Sequence, residues 1–216
     1  MREKLRKLVI LFLTGRAKAM ARRLIAHLPR GGAILDVGSG TGHVAAELRS
    51  EGGFDCTEAD VADLSMGGTH PVIFDGVTLP FPDSSFETAL LISVLQYSLA
   101  PVDLLREVRR VTRGPLLIVQ PLYKGPCERF LLQGLDFLLG WCFFRLFRLL
   151  GLVSSGAASL ESRRSYSLHL LEKDLTAAGL SVLLREQDSW PPFCRCLLIC
   201  RGADRENTAV FSQKGE

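Results

Sequence analysis

The sequence predicts an α/β fold: a doubly wound sheet, mostly parallel, with a C-terminal antiparallel hairpin and an amphipathic helical insertion. Three observations predict it. Short apolar runs alternate with helical segments over residues 33–120. A glycine-rich turn, Gly38-Ser39-Gly40-Thr41-Gly42, sits between the first such run and the first helical one. Two strand-like runs close the chain, separated by a turn that contains Pro191-Pro192. The chain has 216 residues, 47% hydrophobic and 23% charged, enough to bury one core and too apolar for a disordered segment. One domain is expected over residues 1–202, made of an N-terminal helix at 1–29, the sheet, and a helical insertion or cap at 125–165. The polar residues 203–216 read as a flexible tail.

Taken in order, residues 3–28 have helical but mixed apolar spacing and stop at Pro29. Ala33–Val37 is a buried strand, and His43–Ser50 the first crossover helix. Phe54–Val61 and Pro71–Asp75 are the second and third strands. Phe86–Val94 is a near-continuous apolar run, as a central parallel strand requires. Pro101–Thr112 places Leu104, Leu105, Val108 and Val111 on one side of a helix, which Gly114-Pro115 ends before a strand at Leu116–Gln120. Leu168–Ala178 is a helix closed by Gly179, followed by strands at Leu180–Glu186 and Cys194–Cys200. No internal repeat is visible.

Composition excludes several classes. A net charge of +3 is too small to argue for nucleic acid. The basic residues are uneven, however: residues 1–23 hold Arg2, Lys4, Arg6, Lys7, Arg16, Lys18, Arg22 and Arg23 against Glu3 alone. Such an end suits either an anionic membrane surface or a solvated helix face. The six cysteines include no CxxC pair, and Cys194, Cys196 and Cys200 lack zinc-finger spacing. Buried reduced thiols, no metal site and a cytoplasmic chain are expected, with peripheral membrane contact left open. Basic residues 2–7, the run Leu8–Leu13 and Ala17-Lys18-Ala19 mimic a signal peptide, but the run is short and Arg16 and Lys18 occupy the cleavage region.

The glycine turn is the most informative segment. Glycines between a strand and a helix let backbone approach a ligand where a Cβ would collide, and the G-x-G-x-G spacing differs from that of dinucleotide sites. An acid ending the second strand fits a nucleoside ribose, whose two hydroxyls a carboxylate can accept. Asp60 fits this role and Glu58 is its rival.

The segment ILDVGSGTG, residues 34–42, resembles motif I of the class I S-adenosylmethionine-dependent methyltransferases. Residues 74–87, FDGVTLPFPDSSFE, resemble the D-x3-LPFPDxSFD stretch of the small-molecule branch of that family (methyltransferase type 11-like), which includes quinone-biosynthesis methyltransferases. Residues 105–111, LREVRRV, resemble the branch's L-x-E-x-x-R-V helix. The resemblance covers residues 30–121 well and 166–201 loosely. It implies a Rossmann-like methyltransferase domain with S-adenosyl-L-methionine as cofactor. Gly38, Ser39, Gly40 and Gly42 would approach the methionine part and ribose, and Asp36 would lie near the methionine ammonium or organise the loop. Asp60 would hold the ribose, Asp75 would face the adenine amino group with Gly76 beside it, and Ile92 and Ser93 would pass the methionine end. Glu87 departs from the branch's usual Asp, at a position expected to cap the strand.

Methyl transfer from a sulfonium needs alignment of a nucleophile and exclusion of water, with a base only where the acceptor must lose a proton. Tyr97, where relatives often carry His, and His169, opening the late helix, are the candidate catalytic residues. His43 reads as structural or near the cofactor carboxylate. Residues 130–152 form the second informative segment. On a helical wheel Gln133, Asp136, Arg145 and Arg148 fall on one half, and Leu131, Leu132, Leu135, Leu138, Leu139, Leu146, Leu149 and Leu150 on the other. Trp141 and Phe144 lie on the more polar half. An amphipathic helix explains this better than a membrane span. It would line a greasy acceptor pocket, lie on a bilayer or pack on the core. The expected partner is therefore a small hydrophobic acceptor. The alternatives are a catalytically silent methyltransferase-fold scaffold and a methyltransferase of a macromolecule.

Overall fold

A computed structural model describes residues 2–66, 69–149, 164–190 and 193–203. The described elements are α1 (Arg2–Ile25), β1 (Ala33–Val37), α2 (His43–Gly52), β2 (Asp55–Asp60), β3 (Val72–Ile73), β4 (Thr88–Ile92), α3 (Pro101–Val111), β5 (Leu116–Leu122), α4 (Pro126–Leu149), α5 (Leu168–Ala177), β6 (Leu180–Trp190) and β7 (Phe193–Gly202). The strands form one sheet in the order β3-β2-β1-β4-β5-β7-β6. The first five positions are parallel, and β7 joins β5 antiparallel with β6 on the outer edge.

Alternation along the strands loads both faces. Leu35 and Val37 of β1, Ala89 and Leu91 of β4, and Ile118 of β5 pack with Leu104, Leu105, Val108 and Val111 of α3 and Leu171 and Leu175 of α5. Ile34, Leu90, Leu117 and Val119 point the other way, against Ala21 and Leu24 of α1 and Ala45 and Leu48 of α2. Each fully buried Leu contributes roughly 1.5–3 kcal/mol, and this two-sided burial explains why the strand segments are apolar throughout. Local signals set the helix ends. Pro101 begins α3, the Ser167 side chain accepts the Leu170 N–H at 3.2 Å to cap α5, and Gly179 with φ +73° closes it.

Four expectations change in the structure. The third strand shrinks from residues 71–75 to Val72–Ile73, because Asp75 already turns the chain by accepting the Val77 and Thr78 N–H groups. The central strand ends at Ile92, since Ser93 adopts a left-handed φ of 58°, and Phe86 makes only an isolated bridge to Thr112. The hairpin is longer than its apolar runs, paired out to Trp190 and Phe193 with a register shift between Val182 and Leu184. Cross-strand partners extend both strands where local pattern is silent. Finally, among the described residues no helix separates β2 from β3 or β3 from β4, so strand and helix alternate less regularly than the sequence suggests.

The insertion is helical over Pro126–Leu149, starting four residues before the predicted segment. Its apolar half is unevenly used: Leu132 is buried, but Leu131 and Leu149 are exposed; Phe130, which shares the angle of Arg148 on the polar half, is 80% exposed. Residues 150–163 and the side chains of Leu135, Asp136, Leu138, Leu139, Trp141, Phe144 and Arg148 lie outside the described residues. Among the described residues no helix is long and apolar enough to cross a membrane. Cys56, Cys196 and Cys200 are buried and in no disulfide, Cys127 is exposed, and the Cys142 and Cys194 side chains lie outside the described residues. Cys196 and Cys200 share the face their parity predicts, and burial pushes the Cys200 thiol up to about 12.

Candidate active site

Strand order places the site. From β1 the chain steps outward to β2 and β3, then returns to β4 on the other side of β1. Connections leave in opposite directions there, opening a crevice beyond the carboxyl ends of β1 and β4. The glycine turn fills its β1 side, and the chain leaving β4 fills the other.

The three glycines of the turn all have positive φ, but they serve different neighbours. A Cβ on Gly38 would stand 2.6 Å from Val94 Cγ2, so that glycine admits the β4 exit. A Cβ on Gly42 would stand 2.7 Å from Glu58 Oε2. Only Gly40 faces open space, with nothing within 4 Å. The Cβ side of Gly38 and Gly42 is thus occupied by protein, and that of Gly40 is open. The turn is fixed from below. Gly38 N–H donates to Ala59 O at 2.7 Å, Gly42 N–H to Ser39 O at 3.0 Å, and Gly40 N–H to Asp60 Oδ2 at 2.7 Å. Ser39 Oγ is buried without a hydrogen-bond partner.

Three acids lie beneath and beside this turn. Asp36 and Glu58 are directly opposite in the β1–β2 register. Asp36 is buried, and burial, then the negative charges of Glu58 and Asp60, push its carboxyl up to about 8 against the opposing pull of Arg49. It is therefore mostly uncharged at neutral pH. Glu58 Oε1 accepts from Arg49 at 2.8 Å and from the Thr69 hydroxyl, while Oε2 is buried under Gly42 without a partner. Arg49 is held in turn by Cys56 O and Thr69. Asp60 accepts the Val61 N–H on Oδ1 at 2.7 Å, and its carboxyl is raised by burial against these N–H donors. Glu58 is thus committed to a structural network, whereas Asp60 touches the open glycine.

The remaining predicted residues surround this centre. Gly76 has φ +90°, and a Cβ there would lie 3.3 Å from Val61 Cγ1, so the 75–76 turn faces the exit of β2. Asp75 is exposed, with Oδ1 taking both turn N–H groups and those N–H groups holding its carboxyl below the usual range. Ile92 is half-buried. Ser93 N–H donates to Val119 O at 2.7 Å, and its left-handed turn brings Val94 over Gly38. A non-glycine residue held at positive φ is costly, and such sites often carry function. Tyr97 is half-buried on the turn closed by its N–H to Val94 O. His169 is exposed on the first turn of α5, and among the described residues it has no hydrogen bond to the glycine turn. His43 Nδ1 lies 2.9 Å from Thr41 Oγ1, and burial lowers the affinity of the ring for a proton.

Sequence reasoning missed two arrangements. Gln120 Nε2 donates to Gln96 Oε1 at 2.7 Å inside the β4–β5 exits, and Arg164 N–H donates to Gln96 O. Nearby, the buried Tyr166 hydroxyl donates to Asp174 at 3.0 Å, which also pairs with Arg164 at 3.0 Å. Single polar residues within apolar runs give no periodic signal. The second arrangement joins the two remaining motifs. Arg110 of α3 donates to Leu79 O and Phe81 O and pairs with Glu107 and Asp83, while Leu79 N–H donates to Glu107 Oε1 at 2.9 Å. The E-x-x-R helix is the clamp that shapes the LPFPD loop. Glu87, expected to cap a strand, instead pairs with Arg113 at 3.2 Å and packs on Gly32.

Residues 35–115 match a family described as a methyltransferase domain. A malonyl-[acyl-carrier protein] O-methyltransferase of Marinomonas sp. (strain MWYL1) is 30% identical over 122 residues, covering 50% of this chain and 45% of that protein. An uncharacterized protein of Methanocaldococcus jannaschii is 30% identical over 103 residues, covering 47% of this chain and 50% of that protein. The chain spans about half the length of the curated relatives it matches. The solved structure of Burkholderia thailandensis 1,6-didemethyltoxoflavin-N1-methyltransferase, with bound 1,6-didemethyltoxoflavin and S-adenosylhomocysteine, superposes with a TM-score of 0.63 at 18% identity, over 92% of this chain and 86% of that one. At that identity the likeness establishes the fold. The match to the methyltransferase-domain family falls on the stretch from β1 to the foot of β5 that builds the crevice.

Proposed function

We propose that the protein is an S-adenosylmethionine-dependent methyltransferase that modifies a small lipophilic acceptor by direct in-line transfer. The observation that carries the proposal is the pairing of Gly40 with Asp60. A bare α-carbon faces open space at the mouth of the crevice, and its N–H already holds one carboxylate oxygen in place. Asp60 takes the Gly40 N–H on Oδ2 and the Val61 N–H, with a long 3.5 Å contact from Ala62 N–H, on Oδ1, so one lone pair on Oδ2 is left for a ribose hydroxyl and a second hydroxyl would replace the Ala62 contact. The second oxygen of Asp75, free of the turn N–H groups, suits an adenine amino group, with Gly76 and Val61 forming an apolar wall beside it. Ser39, Ile92 and Ser93 border the methionine end. Asp36, carrying a proton at neutral pH, organises the turn and answers a ligand ammonium only by releasing that proton.

When bound, the cofactor supplies a methyl group activated by the sulfonium. The residues of this chain position it and keep water out. Tyr97 belongs on the acceptor side because it follows the turn that covers Gly38. His169, exposed on α5, suits a base for acceptors that need deprotonation. The apolar side chains Phe130 and Leu131 of α4, between β5 and α5, favour a greasy acceptor, and the names of the malonyl-[acyl-carrier protein] and toxoflavin enzymes favour a small one. Incubation with methyl-labelled cofactor and a panel of lipophilic phenols, acyl esters and polar amines tests the acceptor class. Label extracted into organic solvent is expected; label only in polar or macromolecular products would refute the lipophilic assignment.

A further inference from the structure

We infer that the outer face of α1 is a docking surface for an anionic lipid bilayer, a conclusion independent of the methyl-transfer reading. The mixed spacing of residues 3–28 has a structural cause: α1 carries two apolar faces. One contains Val9, Ala17, Ala21 and Leu24, is buried, and meets the sheet and α2 at its C-terminal end. The other contains Leu5, Leu8, Leu11 and Phe12, with Leu8 60% and Leu11 70% exposed. Leu8 stands sixteen positions before Leu24, which at about 100° per residue places it about 160° around the helix from the buried face. Core packing therefore does not account for the outer row.

Charge selects the occupant. At the same angular scale Lys7 and Lys18 border the outer row on one side and Arg16 on the other, Lys4 stands within the row, and all four are exposed. The Arg16 guanidinium lies 5.8 Å from the Phe12 ring centroid. Arg22 and Arg23, nearer the core, pair with Glu51 and Glu186, whereas Lys4, Arg6, Lys7 and Lys18 form no ion pair among the described residues. A second copy on this face would set these cations against their own kind, since Glu3 is the single acid among residues 1–23. Anionic headgroups complement the flanks, and the acyl boundary takes the leucines.

The test is co-sedimentation of the full chain with vesicles of phosphatidylserine and phosphatidylcholine in equal parts, and with phosphatidylcholine alone. Binding to the anionic vesicles is expected, weaker on neutral ones and weakened by salt. Removing two charges in Lys4→Gln/Lys7→Gln should weaken it roughly thirtyfold. Leu8→Glu/Leu11→Glu should abolish it while circular dichroism stays unchanged. If that variant fails to fold, the lysine pair alone decides. No binding to anionic vesicles, binding unaffected by the lysine pair or, in a folded protein, by the leucine pair, or a dimer that Leu8→Glu/Leu11→Glu dissociates without any vesicle binding, would each overturn the inference.

Discussion

At the scale of the residue, the glycine turn separates positions that a motif treats alike. Gly38→Ala drives a methyl group into Val94 at a left-handed φ, a collision with the β4 exit as well as backbone strain. Gly40→Ala meets only the strain, of about 1 kcal/mol. Thermal unfolding should therefore show Gly38→Ala as the less stable variant, by about 1–3 kcal/mol more, while Gly40→Ala loses only about 1 kcal/mol of stability but also loses affinity for S-adenosylhomocysteine. Equal stabilities would remove the distinction. Asp36 makes a prediction about pH. Its carboxyl is raised from 3.8 to about 8, so below about pH 4 folded and unfolded states are both protonated. Between those values the folded state keeps a proton that the unfolded state has lost, and the stabilisation drains away as pH rises. Asp36→Asn lacks this loss. Relative to wild type it should gain stability from pH 5 to pH 8, by up to about 1.4 kcal/mol per pH unit. A constant difference across that range would contradict the buried neutral carboxyl.

At the scale of the element, the clamp between α3 and the 79–83 loop gives the testable case. Glu107 is largely buried and accepts the Leu79 N–H, and Arg110 holds two loop carbonyls. Glu107→Ala should destabilise the protein by about 2 kcal/mol and speed hydrogen exchange at Leu79, because the N–H loses its acceptor and Arg110 loses its partner. Unchanged exchange at Leu79 would show that the loop holds itself. Elements also mark where local pattern stops informing. Pro101–Thr112 was legible nearly to the residue because Leu104, Leu105, Val108 and Val111 repeat with the helix. The third strand and both hairpin ends were not, because their limits depend on Asp75 bending its own chain and on pairing between residues distant in sequence. The insertion was legible as a helix, yet its wheel did not foretell that Leu131 and Leu149, on its apolar half, stay exposed.

At the scale of the whole molecule, the mostly parallel sheet and the glycine turn at the end of its first strand follow from a few strong signals: apolar runs, a glycine turn after the first, and an acid ending the second. These suffice to bring Asp36, Gly40 and Asp60 together at one end of the sheet. They did not reveal the Arg49–Glu58–Thr69 network or the Gln96–Gln120 pair, since isolated polar residues gain meaning only when folding brings their partners near. The network explains why two acids two residues apart should differ in role. The direct test of the account is calorimetry of S-adenosylhomocysteine binding to the wild type, Asp60→Ala and Glu58→Gln, each checked for folding. The account predicts binding by the wild type, loss on the order of a hundredfold in Asp60→Ala, from about 3 kcal/mol of charged hydrogen bonds, and near-wild-type affinity in Glu58→Gln. No binding by the folded wild-type protein, or a loss confined to Glu58→Gln, would contradict it.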